Sequence, residues 1–226
     1  MNNRTGCLVI HGFGGSVKEV EPLVLRLLER EYKVMVPSLK GHTGKREDLK
    51  NISYTEWIKS AEANLLSLLA TCEVVYIIGF SMGGLIAINL GLKYQIDGIV
   101  TINTPVHYWN VKRIMINIAS DVVKRDWRNS RRYLKSSKQL PFTALLNFKL
   151  LLGKTKSEMK DLKCPISIIQ AINDDTVRKS SADYLFDHVG SEVKQLKFFD
   201  CAEHHILWSS DADKATEHII EFLKII

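Results

Sequence analysis

Residues 74–89 read VVYIIGFSMGGLIAIN: a β-branched and aliphatic run, a turn rich in glycine, and an apolar segment. Gly79, Ser81 and Gly83 form the pattern Gly-x-Ser-x-Gly between a predicted strand and a predicted helix. The two flanking positions must be small, because strand and helix approach closely at so tight a turn. Such a turn places the serine hydroxyl beside the positive end of the helix dipole. The stretch therefore predicts a nucleophile elbow with Ser81 as the nucleophile, rather than an ordinary Gly/Ser turn.

The rest of the chain alternates predicted strands with predicted helices. Strand patterns occur at residues 7–10, 32–36, 74–79, 97–103, 165–171 and 193–199. Apolar residues at helical spacing follow or precede them, as at 55–69, 85–92, 180–189 and 213–226. We expect Ser16 to cap the first helix, which runs through Leu23, Leu27 and Leu28 at helical spacing. This alternation predicts an α/β fold with a mostly parallel sheet of about six strands, covered by helices on both faces.

Residues 106–160 interrupt this alternation. Apolar residues repeat at helical spacing from Val111 to Val122 and return at 141–152, but no strand pattern occurs. We predict a small helical cap, inserted after the fourth strand and lying over the C-terminal ends of the strands. Residues 1–105 and 161–226 would then form the core. An elongated crossover helix with loops is the alternative.

Composition indicates an ordinary globular protein. The 226 residues, 46% hydrophobic and 25% charged, suit one α/β domain. No apolar run approaches the ~20 residues that span a bilayer. The N-terminus leads directly into a strand pattern, so we expect no signal peptide and a cytoplasmic location. The cysteines are widely separated, at Cys7, Cys72, Cys164 and Cys201, which favours reduced thiols and no metal site.

The positive charge is concentrated in one segment. Residues 106–160 carry thirteen Lys and Arg against three Asp and Glu, so a balance of +10 there leaves −4 for the rest of a chain whose net charge is +6. Because these basic residues alternate with apolar ones at helical spacing, we expect a solvated face and no nucleic-acid partner. A transient contact of this segment with anionic lipid, through an amphipathic helix at 111–125, is a further hypothesis.

A serine hydroxyl needs a histidine to take its proton and a carboxylate to orient that histidine. After a nucleophile elbow, the acid and then the histidine follow in chain order, at the C-terminal ends of later strands. The carboxylates in such places are Asp174, Asp175 and Asp200. The histidines beyond the acid are His188, His204, His205 and His218. His204 and His205 occupy the loop after the last strand, where the base belongs, whereas the other two lie in predicted helices.

An oxyanion hole needs two backbone N–H groups that face the developing negative charge. One should belong to Met82, directly after the nucleophile. The other should come from the loop after the first strand, where Phe13 follows His11 and Gly12. We expect His11 to shape this loop by hydrogen bonding and not to act as the base.

Several motifs occur together in a fixed order: HGFGG at 11–15, LKGH at 39–42, GFSMGG at 79–84, IDGIVTINTP at 96–105, CPISIIQAINDD at 164–175 and VKQLKFFDCAEHHI at 193–206. Together they resemble the bacterial carboxylesterases of the α/β-hydrolase superfamily, in particular small thermostable carboxylesterases related to monoacylglycerol lipase. The resemblance runs from about Gly6 to the C-terminus and is weakest through 110–160. The set in this order is far more specific than any single motif.

The resemblance implies a choice among the candidates. The spacing of the family's motifs, carried over to this chain, makes His204 the base and Asp174 the acid in preference to Asp175. The chain departs from the family pattern at Glu203, where glycine is usual, and at His205, where an aliphatic residue is usual. An N-terminal strand common in the superfamily is also expected to be missing.

The implied function is a serine carboxylesterase that hydrolyses short- to medium-chain acyl esters or monoacylglycerols through an acyl-enzyme, without metal or cofactor. The expected partner is a small acyl ester or lipid substrate, and the oligomeric state is left open. A thioesterase or C–C bond hydrolase with the same triad is an alternative among enzymes. A weakly catalytic ligand receptor on the same fold is an alternative of another class.

Overall fold

Six strands form a single sheet in the structure, a computed structural model that describes residues 5–107, 141–200 and 203–225. They are β1 (Thr5–Ile10), β2 (Lys33–Met35), β3 (Val74–Phe80), β4 (Gly98–Ile102), β5 (Ile166–Ala171) and β6 (Lys194–Phe199). Their order is β2-β1-β3-β4-β5-β6, and every pairing is parallel. The predicted six-stranded parallel sheet is therefore confirmed.

Helices cover both faces of this sheet. They are α1 (Glu21–Glu29), α2 (Tyr54–Leu69), α3 (Met82–Lys93), α4 (Phe142–Glu158), α5 (Ser180–His188) and α6 (Ala212–Ile225). Side chains of successive strand residues point to opposite faces. Leu8 and Ile10 of β1 accordingly join the apolar cluster with α2, α3, α4 and α5, whereas Cys7 and Val9 join the cluster with α1 and α6.

The first helix begins later than a cap at Ser16 predicts. The predicted cap at Ser16 is wrong: its side chain makes no capping hydrogen bond, and a short 3-10 turn, Val17–Glu19, precedes α1. Pro22 lies in the first turn of α1, where a missing N–H costs nothing. Of the three leucines at helical spacing, Leu23 and Leu27 are buried and Leu28 is 51% exposed.

The second helix begins as its sequence indicates. Ser53 caps α2, and its hydroxyl accepts the N–H of Glu56 at 3.4 Å. The Glu56 carboxylate in turn accepts the N–H of Ser53 at 3.0 Å, which completes a capping box.

α4 is longer than the apolar pattern at 141–152 predicted. It packs against α2 and α3, where the Asn89 side-chain amide donates to Thr155 Oγ1 at 2.7 Å and the N–H of Tyr54 donates to Asn147 Oδ1 at 3.0 Å. The predicted amphipathic helix at 111–125 lies outside the described residues. The cap boundaries at 106 and 160 stay a prediction. Every helix of the described ranges is too short or too polar to span a bilayer.

Candidate active site

Ser81 lies in a strained turn between β3 and α3. Its backbone has φ +52° and ψ −122°, a region that a residue with a side chain rarely adopts. The turn is held by the Ser81 N–H, which donates to the carbonyl of Ile102 at 2.7 Å. Gly79 and Gly83 are required by space: a Cβ on Gly79 would overlap the backbone of Gly83, and a Cβ on Gly83 would overlap the carbonyl of Ile10. This is the local geometry of a nucleophile elbow.

His204 and Asp174 meet Ser81 at the C-terminal ends of the strands. His204 Nε2 lies 3.1 Å from Ser81 Oγ, and His204 Nδ1 lies 2.6 Å from Asp174 Oδ2. Because a carboxylate only accepts, Nδ1 carries the proton and the Nε2 lone pair faces the serine. Asp174 is fully buried, and its Oδ1 accepts the N–H groups of Thr176 (2.7 Å) and Val177 (2.9 Å). The three predicted side chains thus form one continuous hydrogen-bonded chain.

Burial and charge act in opposite directions on His204. Burial lowers the pKa of His204. The charge and hydrogen bond of Asp174, together with the charges of Glu19 and Asp175, outweigh burial and raise this pKa above its ordinary value. The imidazolium form is therefore favoured relative to a free histidine.

Asn103 supports this arrangement, although no motif in the sequence indicated a role for it. It follows β4 with φ +48°, and its side chain is fully buried. Its Nδ2 donates to the carbonyl of His204 at 2.6 Å, and its Oδ1 accepts the N–H of Ala171 at 2.7 Å. Its own N–H donates to the carbonyl of Ile169 at 2.8 Å. One side chain thus joins the ends of β4 and β5 to the histidine loop.

The candidates from the predicted helices and from the end of β6 lie in other surroundings. Asp200 is exposed at the end of β6. His188 stacks on Tyr184 within α5, with ring centroids 3.8 Å apart. His218 belongs to α6, and its Nε2 lies 3.4 Å from Ser167 Oγ.

The two nearer candidates flank the hydrogen-bonded chain. Asp175 is buried, and its Oδ1 accepts the Thr176 hydroxyl at 3.1 Å. The ring of His205 lies 5.4 Å from the ring of Phe80, which also lies 5.0 Å from the ring of His204. One aromatic side chain of β3 therefore supports both histidines of this loop.

The predicted oxyanion donors border the same turn. Met82 is the first residue of α3, and Phe13 lies in the loop after β1. In the part of the chain that the structure describes, the N–H groups of Phe13 and Met82 donate to no protein acceptor. The N–H of Gly12, in contrast, donates to Glu19 Oε2 at 2.9 Å.

His11 forms a hydrogen bond within its own loop, as expected, and a second one to the stretch at Leu39. Its Nδ1 donates to the carbonyl of Gly12 at 2.9 Å, and its Nε2 accepts the N–H of Leu39 at the longer distance of 3.4 Å. Burial lowers the pKa of His11. Burial and the neighbouring His11 lower the pKa of His42 to about 4. Both rings are therefore neutral near pH 7, and the LKGH stretch packs against the loop after β1, with ring centroids of His11 and His42 5.2 Å apart.

The Phe13 side chain connects this loop to α4. Its ring stacks on Phe148 of α4 at 5.3 Å and lies 5.5 Å from Trp57 of α2.

Within residues 5–107, 141–200 and 203–225, no group of three or more His, Cys, Asp or Glu side chains could hold a metal ion.

A parallel sheet with a strained serine after β3, and with histidine and carboxylate after later strands, is the architecture of the α/β hydrolases. The chain belongs to that family: the model of the alpha/beta hydrolase fold family matches residues 8–184.

Curated relatives cover nearly the whole chain. A thermostable monoacylglycerol lipase of Bacillus sp. (strain H-257) is 27% identical over 232 residues, which cover 98% of this chain and 91% of the relative. A carboxylesterase of Bacillus subtilis (strain 168) is 25% identical over 224 residues, which cover 96% and 91%.

Solved structures share the fold. A structure from a study of two metagenome-derived lipolytic enzymes has a TM-score of 0.82 at 20% identity, covering 99% of this chain and 95% of that one. A soluble variant of monoglyceride lipase from Saccharomyces cerevisiae, in complex with a substrate analogue, has a TM-score of 0.75 at 17% identity, covering 98% and 86%.

Proposed function

We propose that this protein, a carboxylic ester hydrolase of the α/β-hydrolase fold, is a serine carboxylesterase for short- to medium-chain acyl esters or monoacylglycerols. The observation that carries the proposal is the hydrogen-bonded chain from Ser81 through His204 to Asp174 at a nucleophile elbow. The substrate class is supported by the names of the two Bacillus relatives, a monoacylglycerol lipase and a carboxylesterase.

In the first half of the proposed reaction, Ser81 Oγ attacks the ester carbonyl while His204 Nε2 removes the hydroxyl proton. Asp174 keeps the imidazole in the required tautomer and stabilises the imidazolium. The N–H groups of Phe13 and Met82 would bind the oxyanion, and the N-terminus of α3 adds its positive dipole end. His204 then donates the proton to the leaving alcohol, which departs and leaves an acyl group on Ser81.

In the second half, water replaces the alcohol. His204 takes a proton from the water as it attacks the acyl carbonyl, and the same N–H groups bind the second oxyanion. The intermediate collapses, the carboxylic acid leaves, and His204 returns the proton to Ser81. No cofactor enters either half of this proposal.

The decisive variant is Ser81→Ala, because it removes the nucleophile and leaves its neighbours in place. We expect hydrolysis of p-nitrophenyl esters, measured across increasing acyl lengths, to fall by about 10³-fold or more at every length. The matched control is Ser67→Ala on the exposed side of α2, where the hydroxyl donates to the carbonyl of Ala63 within the same helix. This variant should hydrolyse the esters like the wild type.

Three outcomes of the same assay would contradict the proposal. Full activity in Ser81→Ala would remove the serine mechanism. Faster turnover of acyl thioesters than of matched oxygen esters would favour a thioesterase. The absence of both a burst and turnover with every acyl ester would favour a ligand receptor.

We also propose that the basic segment 106–160 makes transient contact with anionic lipid. In the described part of the segment, exposed apolar side chains one helical turn apart form a stripe along α4. The exposed fractions are 71% for Phe142, 43% for Leu146 and 58% for Leu150. Lys149 is exposed on the same helix. Exposed apolar side chains beside cationic ones are the combination that favours an anionic membrane surface.

A further inference from the structure

Glu19 brings a second carboxylate to the proposed active site, from an element that carries none of the predicted catalytic residues. It ends the short turn Val17–Glu19 after the HGFGG loop. Its Oε2 accepts the N–H of Gly12 at 2.9 Å. A Cβ on Gly15 would overlap all three atoms of the Glu19 carboxyl group. The loop after β1 is therefore folded around this carboxylate, and Gly15 leaves the space for it.

The carboxylate lies close to the nucleophile. A Cβ built on Gly12 would lie 3.2 Å from Glu19 Oε2 and 3.2 Å from the Cβ of Ser81. Glu19 and Ser81 thus flank the same glycine. The Gly12 N–H belongs to the His11–Gly12 peptide, and the next peptide along the chain carries the N–H of Phe13, the proposed oxyanion donor. The hydrogen bond from Gly12 to Glu19 therefore fixes the peptide that directly precedes this donor.

Residue 19 is also joined to the histidine loop. Trp208 Nε1 donates to the carbonyl of Glu19 at 3.2 Å and to that of Lys18 at 3.1 Å. Trp208 ends the turn that follows the histidine pair, and in this turn the N–H of Ile206 donates to the carbonyl of His204 at 3.0 Å. Glu19 therefore contacts the oxyanion loop through its side chain and the loop of the proposed base through its backbone.

We propose that Glu19 is a positioning residue of the hydrolytic site, whose carboxylate fixes the His11–Gly12 peptide, next to the peptide that carries the Phe13 N–H, and places a negative charge beside the imidazolium that forms on His204. The inference rests on the proposed function, because it assumes that His204 gains a proton during the reaction. A brace for the loop alone would need the hydrogen bond but not the charge, so the two roles are separable.

The electrostatics of the described residues agree with the placement of this charge. Burial raises the pKa of Glu19 above its ordinary value, and the Gly12 N–H and the charge of His204 offset only part of this rise. Burial lowers the pKa of His204, which is then raised by Asp174, and further by Glu19 and Asp175. Asp174, which contacts His204, and Asp175 belong to the loop after β5, Glu19 belongs to the turn after β1, and the ring of His205 lies 5.6 Å from that of His204. Among the described residues no hydrogen bond joins Glu19 to the imidazole of His204, so the charge of Glu19 would act on the imidazole through space.

The charge is tested by Glu19→Gln, which keeps the size of the side chain and an oxygen that can accept the Gly12 N–H. We expect the pKa of His204, followed by the ¹⁵N shifts of its ring and assigned with His204→Gln, to fall by about half a unit. The control Glu21→Gln removes an exposed carboxylate two residues along and should leave this pKa unchanged. An unchanged His204 pKa in Glu19→Gln would overturn the electrostatic role.

The pH profile must move in the same direction. The neutral imidazole is the base, so activity is lost as the pH falls through the pKa of His204. A lower pKa of His204 in Glu19→Gln should therefore shift the acid limb of the kcat/KM profile to lower pH by about 0.5. A purely structural brace would leave this limb in place.

The brace is tested by Glu19→Ala, which removes the acceptor as well as the charge. We expect kcat to fall by about tenfold with KM within about twofold, because the oxyanion is bound only in the transition state. Gly15→Ala should also lower kcat, since the new methyl group displaces the carboxylate. Wild-type kcat in Glu19→Ala would overturn the brace. The NMR titration needs no turnover, so it still decides the role of the charge if Ser81→Ala disproves the serine mechanism.

Discussion

Asn103 shows how one residue can hold two loops of the proposed site in register. Its left-handed backbone, which asparagine tolerates better than most residues, turns the chain at the end of β4. The nitrogen of its side-chain amide donates to the His204 carbonyl, and the oxygen accepts the Ala171 N–H. Because a buried amide satisfied on both sides fixes both partners, the position of the His204 loop depends on this side chain.

Asn103→Asp should therefore impair the reaction without a change in side-chain size. The new carboxylate oxygen would face the His204 carbonyl, so a donor is replaced by an acceptor at 2.6 Å. We expect kcat to fall by about tenfold and the free energy of unfolding to fall by about 2 kcal/mol. Ester hydrolysis and urea unfolding measure the two effects.

The control is Asn64→Asp on α2, where the side chain donates to the carbonyl of Ser60 at 3.2 Å on the helix surface. It should change both quantities little. If Asn103→Asp matched this control in kcat, the link from Asn103 to the histidine loop would not matter for the reaction.

The proposed reacting groups were easier to predict from the sequence than the residues that position them. Ser81 and His204 were candidates because an elbow motif and the ends of later strands restrict where a nucleophile and a base can lie. The choices of His204 over His205 and of Asp174 over Asp175 came only from a family resemblance, and the catalytic roles of all three residues are proposals. Asn103 and Glu19 were missed because their contacts depend on how separate loops meet in space, which no local pattern encodes.

At the scale of elements, the spacing between β3 and α3 depends on residues without side chains. The backbone of Gly83 lies against the carbonyl of Ile10, so β1, β3 and α3 meet at one point below Ser81. The hydrogen bond from the Ser81 N–H to Ile102 adds β4 to this junction. A side chain at this point must move α3 relative to the sheet.

Gly83→Ala should consequently lower both stability and activity. Overpacking at a backbone contact costs about 1–3 kcal/mol of unfolding free energy, and a shifted α3 would move the N–H of Met82 away from the proposed oxyanion. Gly153→Ala is the matched control in the middle of α4, where a Cβ would meet no described atom within 4 Å. It should stabilise the protein by up to about 1 kcal/mol. Equal urea midpoints for the two variants would contradict this account.

Element boundaries were predictable where local chemistry defines them. The capping box at Ser53 and the alternating burial of β1 follow from nearby residues. The start of α1 did not follow from Ser16, because Pro22 and the loop around Glu19 set it. The C-terminal part of α4 was missed because its polar residues obscure the pattern, although Thr155 is buried against Asn89 of α3.

At the scale of the whole molecule, charge and exposed apolar surface occur in the same segment. Residues 106–160 carry a balance of +10, in contrast to −4 for the rest of the chain. The stripe of Phe142, Leu146 and Leu150 belongs to this segment. Electrostatic attraction and apolar insertion would therefore act together at an anionic surface, and each can be removed separately.

Co-sedimentation with vesicles separates these contributions. We expect stronger binding to vesicles with anionic lipid than to neutral ones, and loss of that preference at 1 M salt, where the screening length is about 3 Å. Changing Phe142, Leu146 and Leu150 together to serine should weaken binding by about tenfold or more. The control changes Leu25 and Leu28 to serine; these are 54% and 51% exposed on α1, across the sheet. Equal binding of the protein to both vesicle types would contradict the proposed contact with anionic lipid. An equal loss of binding in both variants would show that exposed apolar side chains in general, and not those of α4, bind the vesicles.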